Sequence, residues 1–407
     1  HQPPADTYMK ILEVYKFFFE KRGAERHFFD LCRLLERRGH EVAVFAMRHP
    51  ENTPSLWEKY FLSQVGYNPG DSDLRAKLIG IGRLFWSCEA RTKMRALLHD
   101  FAPDIVHVHN AYHQLSLAFF PLIREAGVPL ILTAHDYAAV SPDKDAYYPE
   151  VGRQYWRFLR IRKYGLGKRL LLVLKKYWED LAGFYAAVDC FIVPSRFVAQ
   201  VFEAAGIDRE RIVVMPHFIA AERAPATALT DVVLPERFIL YFGAMTEGKG
   251  VSELSGIASR IGLPLVAAGR IDAGFDQASC PGVLFIGPRT PGELCFLIEH
   301  ATCVASASSL AETFGLTALE TIALGKPFFA LASGAVPEMI HNGINGYVAA
   351  DITELETLIR GFIDGTHVVA PAENIASATH DTYGADRYAD RFEGLIAEMV
   401  ASRHTKR

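Results

Sequence analysis

The sequence predicts an α/β protein built from two Rossmann-like domains facing each other across a cleft. Three observations predict it. The chain has 407 residues, half of them hydrophobic and 22% charged, an ordinary globular composition with length for two domains. Short apolar runs alternate with amphipathic stretches in two separate series. Between the series, His217 to Glu236 contains AAERAPATALTD, lacks periodicity and reads as a linker.

In the first series, KILEVY (10–15) reads as a strand, Ala24 to Arg38 as an amphipathic helix and EVAVFAM (41–47) as the next strand. DIVHVH (104–109), LILTAH (130–135), CFIVP (190–194) and RIVVMP (211–216) follow, with 50–90 and 138–180 as longer insertions. The second series runs RFILYF (237–242), LPLVAA (263–268), GVLFIG (282–287), CVASAS (303–308) and PFFALA (327–332), with helices at 291–301 and 315–324. Apolar strands joined through helices argue parallel sheets covered on both faces, whose ligands bind beyond the carboxyl ends of the strands. A last helix over 384–402 places Tyr388, Phe392, Leu395, Ile396 and Met399 on one buried face. The expected division is 1–220, 221–383 and a terminal helix, 384–407, packing back on the first domain.

A net charge of −4 gives no global basic field, so nucleic acid is not expected as a partner. Six scattered cysteines without a CxxC pair suit buried thiols in a reducing, cytoplasmic compartment. No apolar run approaches the length of about 18 residues that a spanning helix needs. HQPPADTY, before Met9, carries no apolar signal core, and Met9 is the expected native start.

Two motifs carry chemistry. FGAMTEGKGV (242–251) follows an apolar strand, and Gly243, four residues, Gly248 and Lys249 match seven of the eight positions of a P-loop. The eighth should be Ser or Thr, to ligate magnesium, and is Gly250. A Gly-rich turn between strand and helix still presents N–H groups to an anion, and Lys249 adds charge; a tight turn with a surface lysine is the plainer alternative. The second motif is SSLAETFGLTALETIALGKP (308–327), with seven residues between Glu312 and Glu320 and Gly315 where a helix should begin. Eight residues span about 12 Å at helical rise, which suits a long ligand with a carboxylate at each end. Two solvated helix glutamates would fit the same spacing.

At this point the chain resembles the retaining glycosyltransferases of family 4, of GT-B architecture. The matching stretches are KILEVYKFFFEKRGAERHFFDLCRLLERRGHEVAVF, PDIVHVHNAYH, LTAHDY, VPSRFV, YFGAMTEGKGV and the block from Glu312 through GAVPEMIHNGINGYV (334–348). The resemblance implies a nucleotide-sugar donor on the second domain, most commonly a UDP-sugar, and an acceptor on the first. It implies that Glu312 binds donor-sugar hydroxyls and Glu320 the ribose hydroxyls. Amides around Phe314, Gly315 and Leu316 would cap the diphosphate or sugar. The loop from Gly243 would be the diphosphate clamp, with Lys249 as one cation. Relatives carry a second cation, an arginine directly after the first glycine, where this chain has Ala244; Arg270, in AAGRIDAG, is the expected substitute. Gly23 matches the first-domain loop glycine, whereas Arg22 departs from the family's Gly-Gly and could reach a phosphate or an anionic acceptor. His135 matches a histidine that contacts the donor sugar, and Asp136 would orient the loop or the acceptor. Arg289 falls near where relatives hold the base. Glu312, His135 and Lys249 are thus the catalytic candidates, and Arg22, His109 and Asp136 the acceptor-side ones.

The implied reaction is front-face transfer with retention, helped by domain closure that excludes water. No cofactor or metal is expected. The acceptor would be a glycan or lipid-linked sugar of surface polysaccharide or glycolipid assembly. A sugar-nucleotide epimerase, a phosphorylase or a non-catalytic sugar-nucleotide-binding regulator on the same fold are the competing readings. DSD (71–73) and DKD (143–145) mimic metal-binding triplets, but both lie in polar insertions. His107, His109 and His113 read as a strand-end polar cluster lining the cleft. Between Arg153 and Lys176, nine Lys or Arg interleave with aromatic and leucine residues and no acid. This composition suits a membrane interface, here the inner face of the cytoplasmic membrane, or a solvated helix.

Overall fold

The computed structural model describes residues 8–19, 23–65, 74–220 and 224–404. Arg22, the DSD triplet and the first seven residues lie outside them. The chain forms two compact units. One takes in the residues up to Pro194, Val198–Met215 and Tyr388 onward; the other takes in Ser195–Phe197 and Pro216–Arg387.

The first unit holds six parallel strands: β1 (Lys10–Val14), β2 (Glu41–Phe45), β3 (Ile105–Val108), β4 (Leu130–Thr133), β5 (Cys190–Val193) and β6 (Ile212–Val214), in the order β2-β1-β3-β4-β5-β6. Its helices are α1 (Gly23–Arg37), α2 (Leu74–Phe85), α3 (Cys88–Phe101), α4 (Phe120–Glu125), α5 (Leu166–Leu181) and most of α6 (Arg196–Ala204). The insertion at 50–90 therefore contains a helix and the start of another. The insertion at 138–180 is dominated by α5, preceded by a 3₁₀ turn at Tyr155–Arg160.

The second unit holds β7 (Ile239–Phe242), β8 (Leu265–Ala268), β9 (Val283–Gly287), β10 (Cys303–Ser306), β11 (Phe328–Leu331) and β12 (Gly346–Ala349), all parallel, in the order β12-β11-β10-β7-β8-β9. The sixth strand, β12, was not anticipated; GYVA is short and opens on a glycine. The helices are α7 (Val251–Ile261), α8 (Pro291–His300), α9 (Leu316–Ala323), α10 (Val336–Met339), α11 (Ile352–Ile363) and α12 (Ala372–Tyr383). The strands are continuously apolar because both faces are buried. Phe238, Leu240 and Phe242 enter one core cluster, while Ile239 and Tyr241 enter the cluster on the opposite face. No helix or strand forms over 217–220 or 224–236, the described parts of the expected linker, although Ile219 makes an isolated bridge to Gly384.

The terminal helix α13 (Ala385–His404) lays Tyr388, Ala389, Phe392 and Ile396 into the first unit. Arg38 pairs with Asp390 and Glu393, His40 lies 3.3 Å from Glu393, and Arg403 reaches Asp189 at 2.7 Å.

Candidate functional site

Each sheet reverses its winding order at one place. In the second unit that place lies between β7 and β10, neighbouring parallel strands whose sequence neighbours lie on opposite sides. Loops leaving the carboxyl ends of such strands diverge and open a crevice, where open α/β sheets bind ligands. The two loops here are Gly243–Gly250 and Ala307–Gly315, which contain the two motifs.

The loops are stitched together. Ser309 N–H donates to the Gly248 carbonyl at 2.9 Å. Lys249 Nζ lies 2.6 Å from Glu312 Oε1, and Ser308 Oγ donates to the same oxygen at 3.1 Å. Both charged groups keep about a quarter of their surface in water (29% and 26%), so they are accessible to a ligand. Gly250 has φ +76°, and an added Cβ would stand 2.1 Å from the Ala307 carbonyl oxygen. The position thus excludes the Ser or Thr of a P-loop by backbone contact. Gly334 is constrained in the same way, since a Cβ there would meet the Glu312 carbonyl at 2.2 Å. The Ala335 N–H holds that carbonyl at 2.8 Å, so the GAVPEM segment positions the Glu312 backbone.

Glu312 lies in the loop, and only Leu316–Ala323 is helical, with Gly315 as N-cap at φ +95°. The Glu312–Glu320 separation is therefore not set by helical rise alone, as the sequence reading had it. Glu320 lies within α9, and Leu316 is its first residue. Phe314 is buried, its ring against His217 (5.0 Å) and Tyr383 (6.1 Å), so its side chain anchors the loop and only its backbone is offered to a ligand. Ser195 Oγ, clustered with this unit, donates to the Thr313 carbonyl at 2.8 Å.

Behind the first loop, the Tyr241 hydroxyl donates to the Ala244 carbonyl at 2.8 Å, and burial followed by the Glu312 charge raises its pKa. Met245 N–H bonds the Arg270 carbonyl at 2.9 Å, so Arg270 runs alongside Ala244. Its guanidinium is half exposed and rests on Asp272 at 2.8 Å. Arg289 is differently engaged. It is nearly enclosed and reaches Asp231 (2.7 Å), Glu293 (3.4 Å) and the Ile286 carbonyl, a structural bracket around the start of α8.

The first sheet reverses between β1 and β3. The register sets Glu13 opposite His107, and strand alternation puts His109 on the same face. Glu13, His107 and His109 are fully buried, and their ligand atoms lie within 4.8 Å of one another. They satisfy one another. Glu13 Oε1 is 3.0 Å from His107 Nδ1, and Oε2 is 3.0 Å from His109 Nε2. His107 Nε2 meets Thr133 Oγ1 at 2.7 Å, and His109 Nδ1 meets His135 Nε2 at 2.9 Å. Burial alone would raise the Glu13 carboxyl, but the charge and hydrogen bonds of the two histidines outweigh it and hold it at about 2. Burial and the neighbouring His107 push His109 down to about 4. An ionised carboxylate only accepts, so neutral His109 donates from Nε2 and accepts at Nδ1. His135 must then donate from Nε2. His107, His109 and His135 thus form a directed chain hung on Glu13, whereas the expected strand-end cluster was His107, His109 and His113; His107 and His109 are fully buried.

Asp136 accepts from the Tyr112 hydroxyl and from the Ala138 N–H (3.0 Å), and burial pushes it up to about 6. His113, near four lysines, is pushed down to about 3, by burial first. Gly23 is the first residue of α1, whose Glu25 is buried 3.9 Å from Lys16. The DKD triplet is a fold staple. Buried Asp143 accepts from Lys163 (2.8 Å), Tyr148 (3.0 Å), Tyr164 (3.1 Å) and the Asp145 N–H (3.1 Å). Sequence reading missed Glu13, Tyr112, Ser308 and Gly334. For Glu13 a signal existed, a lone carboxylate in an otherwise apolar strand beside an alternating His-x-His.

Fold and site together define a two-unit α/β architecture with a polar crevice at a winding reversal, and comparison with known proteins places it. The Glycosyltransferase Family 4 profile matches residues 21–223, and the Glycosyl transferases group 1 profile matches residues 233–366. The two account for most of the chain, which belongs to glycosyltransferase family 4 and has the GT-B fold. A D-inositol 3-phosphate glycosyltransferase of Mycobacterium avium (strain 104) is 28% identical over 207 residues, covering 47% of this chain and 48% of the relative. The chain thus spans about half the length of the curated relatives it matches. Two solved structures share the fold over nearly the whole chain. The lipopolysaccharide outer core galactosyltransferase WaaB in its apo form has TM-score 0.63 and 16% identity, covering 96% of this chain and 100% of that one. Anabaena Alr3699/HepE in complex with UDP-glucose has TM-score 0.64 and 18% identity, covering 97% and 100%.

Proposed function

We propose that this chain is a retaining glycosyltransferase that moves a sugar from a nucleoside-diphosphate sugar, with UDP as the favoured base, to a glycan or lipid-linked acceptor. The observation that carries it is the Lys249–Glu312 pair at the winding reversal of the second sheet. The cation can neutralise a leaving diphosphate, and the carboxylate can accept two sugar hydroxyls in fixed geometry. Glu320 on α9 is assigned to the ribose. HepE, a fold relative, holds UDP-glucose, which supports the donor class. WaaB, a lipopolysaccharide outer core galactosyltransferase of the same fold, supports a surface glycolipid acceptor.

The reaction breaks the bond between the anomeric carbon and the diphosphate oxygen and forms one from that carbon to the acceptor oxygen on the same face. The acceptor's proton passes to the departing phosphate oxygen. This route needs no enzyme nucleophile. His135 and Asp136 are the first unit's candidates for sugar and acceptor contact.

The test is incubation with a panel of nucleotide sugars, with and without acceptors, followed by nucleoside-diphosphate release and the anomeric configuration of product. Slow release without acceptor, accelerated by one, with an axial anomer kept axial, is the expected result. Inverted product would overturn the retaining mechanism. Saturable donor binding without turnover would support a binding regulator, a reading that the lost arginine at Ala244 keeps in play.

A further inference from the structure

Helix α5 is built inside out. Lys175, Lys176 and Glu179 are buried, Lys176 at 1% exposure, while Leu166, Leu174 and Leu181 stand 64%, 52% and 82% exposed. The outward set, Leu166, Leu170, Leu174, Tyr177 and Leu181, recurs at helical spacing, so it forms one continuous stripe on the face opposite the buried charges. The buried face is fully occupied. Lys175 pairs with Glu179, and Lys176 donates to the Ala139 carbonyl at 2.6 Å and lies 4.1 Å over the Tyr185 ring. Burying three charges is costly unless each is paired, so this pairing fixes which face of α5 looks outward. Two of the nine cations in the basic segment are therefore internal.

Two of the remaining basic groups flank the stripe through Trp156. Trp156 is exposed, and its backbone N–H donates to the Tyr177 hydroxyl at 3.3 Å, which joins it to the leucines. Arg157 and Arg160 lie 5.7 and 5.3 Å from the Trp156 ring and are themselves exposed. No acid occurs between Val151 and Trp178. Leucines, an exposed tryptophan and flanking arginines are the chemistry of an anionic lipid surface, in which apolar groups enter the acyl boundary and cations meet the headgroups. No helix among the described residues is long and apolar enough to cross a membrane, so the contact is one of lying on the surface.

We infer that the outward face of α5, with Trp156, Arg157 and Arg160, docks this protein onto an anionic membrane surface. The inward face explains why docking there is useful. Lys175 packs over the Tyr112 ring, whose hydroxyl bonds Asp136, and Lys176 holds the Ala138–Ala139 carbonyls two and three residues beyond it. A lipid leaflet against one side of α5 thus has the acceptor-side loop directly on the other. The docking itself does not depend on the transfer reading.

The test is co-sedimentation of the full chain with phosphatidylglycerol/phosphatidylcholine vesicles and with phosphatidylcholine alone. Binding should favour the anionic vesicles and weaken with salt. Replacing Leu170, Leu174 and Leu181 together by serine should lower partitioning roughly tenfold or more, with the melting temperature unchanged. Arg157→Ser and Arg160→Ser should each lower it about fivefold. No binding at low salt, or equal binding by the triple variant, overturns the inference. So does a dimer in sedimentation velocity that the triple variant dissociates, because the stripe would then be covered by a second copy.

Discussion

At the residue scale the proposed donor site reduces to a carboxylate, a cation and a missing cation. Glu312→Gln keeps the shape and removes the charge that Lys249 shares and that the proposed reading gives to the sugar hydroxyls, so transfer should fall roughly a hundredfold or more while thermal unfolding is unchanged. Product formation against a melting curve checks this. Arg270 sits beside Ala244 through the Met245–Arg270 backbone bond. If it serves the diphosphate, Arg270→Ala should slow transfer and a further Ala244→Arg should restore it; failure of that rescue in donor-saturated kinetics would assign the charge elsewhere. The histidine chain predicts a pH response of the first unit. His109 is depressed from 6.5 to about 4, so as pH falls the unfolded chain takes up that proton first. Stability from this ring is full above pH 6.5 and is lost between 6.5 and about 4, on the order of 3 kcal/mol. Glu13, held at about 2 against an ordinary 4.5, adds stability that is full above 4.5 and is lost between 4.5 and about 2. Acid-induced hydrogen exchange of the β1 and β3 amides should begin in the upper window. Glu312 and Lys249 were legible because glycine-punctuated loops advertise them. Glu13 was marked only as a lone carboxylate in an apolar strand, because its pairing with His107 depends on which strands become neighbours.

At the scale of elements, α13 shows how a distal segment becomes part of a site. Phe392 packs its ring on His107 at 5.1 Å, so the terminal helix closes the apolar lid over the buried carboxylate and its histidines. Phe392→Ala should cost the first unit about 3–5 kcal/mol, measurable by denaturant unfolding, and should make His109 titrate closer to its ordinary range in NMR. Strands were readable where apolar runs of four to six residues stood between turn signals, as in β5 and β7. β12 escaped because GYVA has neither the length nor the boundary. The orientation of α5 escaped for a different reason. Its composition is that of an amphipathic helix, and only the buried pairing of Lys175 and Lys176 with Glu179 reveals that the charged side is the inner one.

At the scale of the whole molecule, both chemical clusters sit where a sheet changes winding direction, β1/β3 in one unit and β7/β10 in the other. The fold class and both series of strands were readable as patterns of hydrophobicity. The winding order was not, because it depends on which strands pair. Uridine diphosphate should therefore protect the 243–250 and 307–315 amides of the second unit from hydrogen exchange, with little change in the first unit's histidine chain. At 100 times its dissociation constant it should add about 2.7 kcal/mol to the unit that binds it. The contact between Gly250 and the Ala307 carbonyl also limits what this loop can become. A Ser or Thr at 250, like any side chain there, would collide with the backbone of Ala307 in the neighbouring loop. Change from this loop to a magnesium-dependent nucleotide cradle is thus blocked at residue 250, so variation in the loop can alter its cations but cannot supply a metal-ligating hydroxyl there.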